Sequence, residues 1–123
     1  MGYELRVERE APLAYAELAS VISADAEFEL RGSQETGELV ALHANSAHRV
    51  ATWSGKLACQ PASDWQVAQL ARLADMLGAR LVGEDGEAYI VKDGIVEQIS
   101  GSATYEFGKL EQIIAAGPIE WSN

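Results

Sequence analysis

The stretch ARLVGEDGEAYIVKDGIVEQ, Ala79 to Gln98, carries the pattern that decides the fold: short apolar runs broken by Asp85-Gly86 and Asp93-Gly94. Asp-Gly suits the centre of a type I′ turn, where both residues take positive φ, which Gly adopts freely and Asp tolerates. The stretch therefore reads as the strands ARLVGE, EAYIVK and IVEQIS, folded back on one another by two tight turns. It also places three carboxylates, Glu84, Asp85 and Glu87, within four residues. A calcium loop needs oxygen ligands at alternating positions and a closing Glu. Beyond Glu87 the residues Ala88 to Lys92 offer only the phenol of Tyr89, so the turns themselves are a sufficient reason for these acids.

Further strands are read upstream. YELRVE alternates Tyr3, Leu5 and Val7 with Glu4, Arg6 and Glu8, the period of two of a strand with one wet face. AEFELRG alternates Phe28 and Leu30 with Glu27, Glu29 and Arg31 in the same way. The polar SQETG loop, Ser33 to Gly37, leads into ELVALHA, the turn NSAH into RVATWSG, and KLACQP is a short extension ended by Pro61. Short loops make an antiparallel meander in which neighbours pair in order.

Three helices are expected. PLAYAELASVISAD starts with Pro12 in a first turn and turns Leu13, Leu18, Val21 and Ile22 to the sheet. SDWQVAQLARLADMLGARL is the clearest: Ser63 or Asp64 caps it, Val67, Leu70, Leu73, Ala74 and Leu77 recur at threes and fours, and Gly78 fits a left-handed C-terminal cap. Ala68, Ala71 and Ala74 allow close approach to the sheet. A third helix is read around Tyr105 to Ala116, with Leu110, Ile113 and Ile114 on its apolar side and Gly117-Pro118 ending it. The expected class is α+β: a single domain over residues 1–123, mainly antiparallel sheet with two or three packed helices.

With 123 residues and 48% hydrophobic content, the chain suffices for one buried core. No apolar run approaches the roughly 20 residues of a membrane span, and the first residues lack a secretory pattern. The single Cys59 excludes an intramolecular disulfide, and together these features imply a cytoplasmic protein. Nineteen acids against nine bases give a formal charge of −10, which repels nucleic acid and anionic membranes and favours a basic partner.

The chemistry-bearing residues form no recognised constellation. His43 and His48 flank a turn that brings them near each other, but a transition-metal site wants further ligands. Cys59 or Ser54 with His48 lacks an elbow or a Cys-His signature, and Glu84 with Glu87 lacks the apolar pocket a general acid requires. No cofactor is implied. The candidate contacts for a basic partner are Glu84, Asp85, Glu87 and Asp93, read as one group of turns near one edge, with Glu35 and Glu38 as a second patch. Trp53 and Trp65 are expected in or beside the core and Trp121 at the surface.

The run Trp53 to Tyr89 resembles small bacterial proteins encoded at toxin-immunity loci. The matching residues are Trp53, Gly55, Pro61, Leu77, Ala79, Gly83, Gly86, Glu87 and Tyr89, the last four within the distinctive GEDGEAY ending. The resemblance implies an immunity protein of a contact-dependent growth inhibition or other polymorphic toxin system. Such a protein acts by binding rather than turnover, and its target is a toxin domain, often a basic nuclease. The expected state is a monomer or weak homodimer. The alternatives are a self-associating regulatory module and a small metal-dependent hydrolase using His43 and His48.

Overall fold

In the computed structural model, which describes residues 3–121, nine strands form one sheet in the order β2-β3-β4-β5-β1-β6-β7-β8-β9. The strands are β1 (Leu5–Glu8), β2 (Phe28–Gly32), β3 (Gly37–His43), β4 (Ser46–Trp53), β5 (Leu57–Cys59), β6 (Arg80–Gly83), β7 (Ala88–Lys92), β8 (Ile95–Ser100) and β9 (Ala103–Lys109). The helices are α1 (Tyr15–Ser23), α2 (Asp64–Met76) and α3 (Leu110–Ala116). Every neighbouring pair of strands is antiparallel. The class is α+β, and one hydrophobic cluster joins residues from β1 through β8.

β2 to β5 pair in chain order, which is the meander read from the sequence, and β6 to β9 do so as well, with β9 a strand the sequence reading did not include. β1 departs from it. The strand slots between β5 and β6, with Leu5 opposite both Cys59 and Gly83, and so joins the two meanders. Its alternation holds where it is paired: Leu5 and Val7 are buried, while Tyr3 lies outside the strand and is exposed.

α2 is more deeply set than an amphipathic helix lying on a sheet. Val67, Ala68, Gln69, Leu70 and Ala71 are consecutive and all buried, which at 3.6 residues per turn leaves no side of that turn in water. β1, β4, β6 and β7 touch the helix, and α3 packs against it. The alanines at 68, 71 and 74 keep its girth small enough to fit. Ser63 caps the start by accepting the Gln66 N–H at 3.2 Å, and Gly78 follows the end at φ +66°.

The other helices contribute less. α1 begins at Tyr15, so Pro12 precedes it rather than forming its first turn; Leu18 and Ile22 are buried, and Leu13 and Val21 only partly. The corner between α1 and β2 is tied to α2 by Arg72, whose guanidinium bonds Asp25 at 2.8 Å and lies 4.7 Å over the Phe28 ring. Burial works against the Asp25 carboxylate, but the Glu27 N–H and Arg72 together hold it below its usual range. α3 buries no residue completely; Leu110, Ile113 and Ile114 pack half-exposed against the core.

The third helix is shorter than expected. Tyr105 to Lys109 belong to β9, and only Leu110 to Ala116 is helical. Gly101, at φ +61°, is placed as the first residue of a two-residue hairpin turn with Ser102, and Ser100 pairs with Ala103. Once that turn forms, Ala103, Tyr105 and Phe107 alternate as strand residues, and Phe107 stacks edge-on against Tyr89 at 5.6 Å. The β3–β4 turn also sits earlier than expected, at Ala44-Asn45, both with positive φ, so Ser46 to His48 are already strand.

Leu70→Ala removes a side chain only 1% exposed at the centre of this packing. It is expected to destabilise the protein by about 2–5 kcal/mol, read as a lower midpoint in urea unfolding with little change in slope.

Candidate functional site

The two Asp-Gly turns differ in kind. Asp93 and Gly94 both have positive φ, at 53° and 78°, and Lys92 pairs with Ile95, the type I′ geometry expected. In the other turn only Gly86 is left-handed. The Gly86 N–H bonds the Gly83 carbonyl at 3.1 Å and the Gly83 N–H bonds the Glu87 carbonyl at 2.8 Å, making a three-residue loop closed by glycine.

That loop consumes one of its acids. Glu87 is 8% exposed, and its carboxylate accepts the Asp85 N–H at 3.1 Å. The Tyr3 hydroxyl and the Glu87 carboxylate both occupy the space where a Cβ on Gly83 would stand, so Gly83 is glycine for reasons of room. Burial, reinforced by the Glu87 charge, raises the Tyr89 phenol above its ordinary value. Glu87 is therefore an internal strut of the loop and does not belong to an exposed contact surface.

The remaining turn acids do not form one group. Because all strands are antiparallel, the β3–β4, β6–β7 and β8–β9 turns lie at one end of the sheet and the β2–β3, β4–β5 and β7–β8 turns at the other. Glu84 and Asp85 are thus separated from Asp93 by the length of β7, about 17 Å. Glu84 also accepts the Glu4 N–H at 2.6 Å, which brings Glu4 to the same end as Asp85. Glu35 is exposed in the β2–β3 loop, and Glu38 stands on β3 in an ion pair with Arg49 at 3.3 Å.

Charge compensation divides the sheet in a way composition does not reveal. All six ion pairs among the described residues use Arg6, Arg9, Arg31, Arg49 or Arg72, with acids no later than Glu38. From Arg80, the first residue of β6, onward the chain holds eight acids, Glu84, Asp85, Glu87, Asp93, Glu97, Glu106, Glu111 and Glu120, against Arg80, Lys92 and Lys109. Among the described residues none of these is ion-paired. Glu97 and Glu106 stand directly opposite each other across β8 and β9, an arrangement in which like charges repel. A helix through Glu106, as the apolar period after it suggests, hides this pair; the Gly101-Ser102 hairpin is the sequence signal that reveals it.

His43 and His48 do share a face of the β3–β4 hairpin, but both are edge-on neighbours of the Trp65 ring, with centroids 6.3 and 5.7 Å away. A Cβ on Gly117 would collide with the His43 ring, so the segment after α3 is held closely against it. No group of three or more His, Cys, Asp or Glu gathers into a metal-ligand set among the described residues. Trp53 and Trp65 are 3% and 1% exposed, whereas Trp121 is 50% exposed and donates its indole N–H to Asp64 at 2.7 Å. Beside it, an open cleft of about 730 Å³ runs between the end of β9, α3 and the C-terminal segment, with Asp64, Lys109, Gln112, Ile119 and Trp121 on its walls.

Among the described residues no helix is long and apolar enough to cross a membrane. Burial pushes the Cys59 thiol up to about 11, outweighing a small lowering by Arg49. A disulfide reagent at pH 7.5 is therefore expected to label native protein far more slowly than protein unfolded in urea, where the thiol titrates normally. Gly83→Ala is expected to cost about 1–3 kcal/mol, seen as a lowered unfolding midpoint, because Glu87 has to leave its position. Compared with protein families, with characterised proteins and with solved structures, the chain matches none.

Proposed function

We propose that this protein is an immunity protein, which binds and neutralises the toxic domain of a contact-dependent or other polymorphic toxin system in the cytoplasm. The observation that carries the reading is the weakly compensated acidity from β6 onward, eight acids, of which Glu87 is buried, against Arg80, Lys92 and Lys109, with no ion pair among the described residues. Exposed charges of one sign raise the encounter rate with an oppositely charged partner and disfavour wrong ones. Inhibition by such a protein is steric and electrostatic occlusion, without turnover. The resemblance of Trp53 to Tyr89 to immunity-locus proteins points the same way.

Within this reading Glu84 and Asp85, exposed at one end of the sheet, are the principal turn contacts. Asp93 and Glu35 serve a partner broad enough to reach the other end, and Glu38 contributes only if Arg49 is drawn away from it. The target is a basic domain, a nuclease being the class whose phosphate-binding cleft best complements such a surface.

The test is capture from lysate of the source strain at low and high salt, followed by an activity assay of the captured protein. One basic partner, bound in equal amounts at low salt and losing its activity on titration with this protein, is the expected outcome. Absence of any stoichiometric partner at either salt, from cells shown to express the toxin, overturns the reading. With the partner in hand, Glu84→Lys with Asp85→Lys is expected to slow association by about 10-fold and flatten its salt dependence.

A further inference from the structure

The two margins of the sheet are unlike. β2 has five residues, is contacted by α1, and carries the Arg31–Glu29 ion pair. β9 has seven residues, is contacted by α3, which follows it directly, and among the described residues has no partner strand on its outer side. Thr104, Tyr105 and Glu106 are all exposed, and Tyr105 is 57% accessible. Open edges are templates for strand pairing and are ordinarily blunted by proline, lysine or a covering element. The middle of β9 has no proline or lysine, and the register shift at Val96/Glu97 falls just past Glu106, so the regular edge runs from Ala103 to Glu106.

The register sets which backbone groups are free. Ser100 and Ala103 flank a two-residue turn and so form a hydrogen-bonded pair, which turns the backbone N–H and C=O of Thr104 away from β8. Tyr105 opposite Gln98 faces inward again, and Glu106 opposite Glu97 faces out. In a pair of the latter kind the side chains stand closest, so two unpaired carboxylates lie side by side at the open margin. At the far end of the same strand, Gly108 and Lys109 form a wall of the 730 Å³ cleft, together with Asp64, Glu120 and the half-exposed Trp121.

We infer that β9 is a docking edge for an extended, basic segment of a partner protein, which adds as a tenth strand. Its backbone bonds Thr104 and Glu106, its Lys or Arg side chains neutralise Glu97 and Glu106, and its end reaches the cleft at Trp121. Complementary charge decides the occupant. A second copy of this chain, itself at −10, meets the same carboxylate pair with like charge and adds repulsion. The inference deepens the immunity reading by naming the surface and the form of the toxin segment, and rests on it for the partner's identity.

A synthetic peptide of about ten residues alternating Lys with Val and Thr serves as the probe, with a Glu-for-Lys counterpart as control. Amide exchange of the full-length protein, followed by NMR, is expected to slow at Thr104 and Glu106 with the basic peptide alone. Glu97→Gln with Glu106→Gln is expected to weaken binding about 3- to 30-fold. Glu106→Pro, which removes an outward N–H and leaves the β8 ladder intact, is expected to abolish the protection. If the proline variant fails to fold, the two Gln substitutions, which leave the backbone unchanged, still decide the matter.

Equal effects of the two peptides, or protection only around Glu84 and Asp85, overturn the docking edge. So does protection of Thr104 and Glu106 by self-association in the absence of peptide. A positive peptide result beside a failed capture removes the toxin reading and keeps the edge; inhibition of a captured toxin by the Glu106→Pro variant keeps the reading and removes the edge.

Discussion

Covering every side of one helical turn is the constraint that the rest of this fold answers to. Leu70 and Leu73 supply the bulk, Ala68, Ala71 and Ala74 let neighbours approach, and Ser63 satisfies the helix start where it enters the protein. No single strand can enclose a helix, so strands from both halves of the sheet must reach it, and β1, β4, β6 and β7 all do. Gln69 is drawn inside by the same enclosure; its carbonyl accepts from Arg72 at 2.9 Å while its amide nitrogen has no partner among the described residues. The buried orphan is a local loss set against the apolar area buried around it.

The parts of the fold legible in sequence were those whose local chemistry leaves few choices. α2 has a cap, a period and a terminal glycine that agree, and Asp93-Gly94 is a turn whose flanking residues alternate. The segment from Tyr105 to Ala116 was misread because Leu110, Ile113 and Ile114 set a helical period that was carried back across Tyr105 and Phe107. Those two aromatics fit a strand equally well, and the turn at Gly101 decides between the readings. The place of β1 was not legible, since nothing local to Leu5 specifies Cys59 and Gly83 as its neighbours.

The candidate surface was half legible for a related reason. Sequence shows that Glu84, Asp85 and Glu87 share a loop, but only the three-residue turn geometry buries Glu87 and leaves Asp85 outside. Proximity along the chain also made Asp93 look like a neighbour of Glu84, although a strand between them sends them to opposite ends. Conversely, Glu97 and Glu106 are nine positions apart in sequence and become adjacent through pairing. Charge counted along a chain measures composition; charge counted across a ladder measures what a partner meets.

The central position of β1 bears on how the chain acquires its shape. β2 to β5 and β6 to β9 are each built from short-range pairings that can form early and independently. β1 precedes both of its neighbours by long stretches of chain, since Leu5 pairs with Cys59 on one side and with Gly83 on the other, so its second margin is filled only after β6 has been made. Until it enters, the inner margins of β5 and β6 are open edges of two half-sheets. The seams on either side of β1 are therefore the longest-range pairings in the sheet, and the loop-closure cost of the fold is concentrated there.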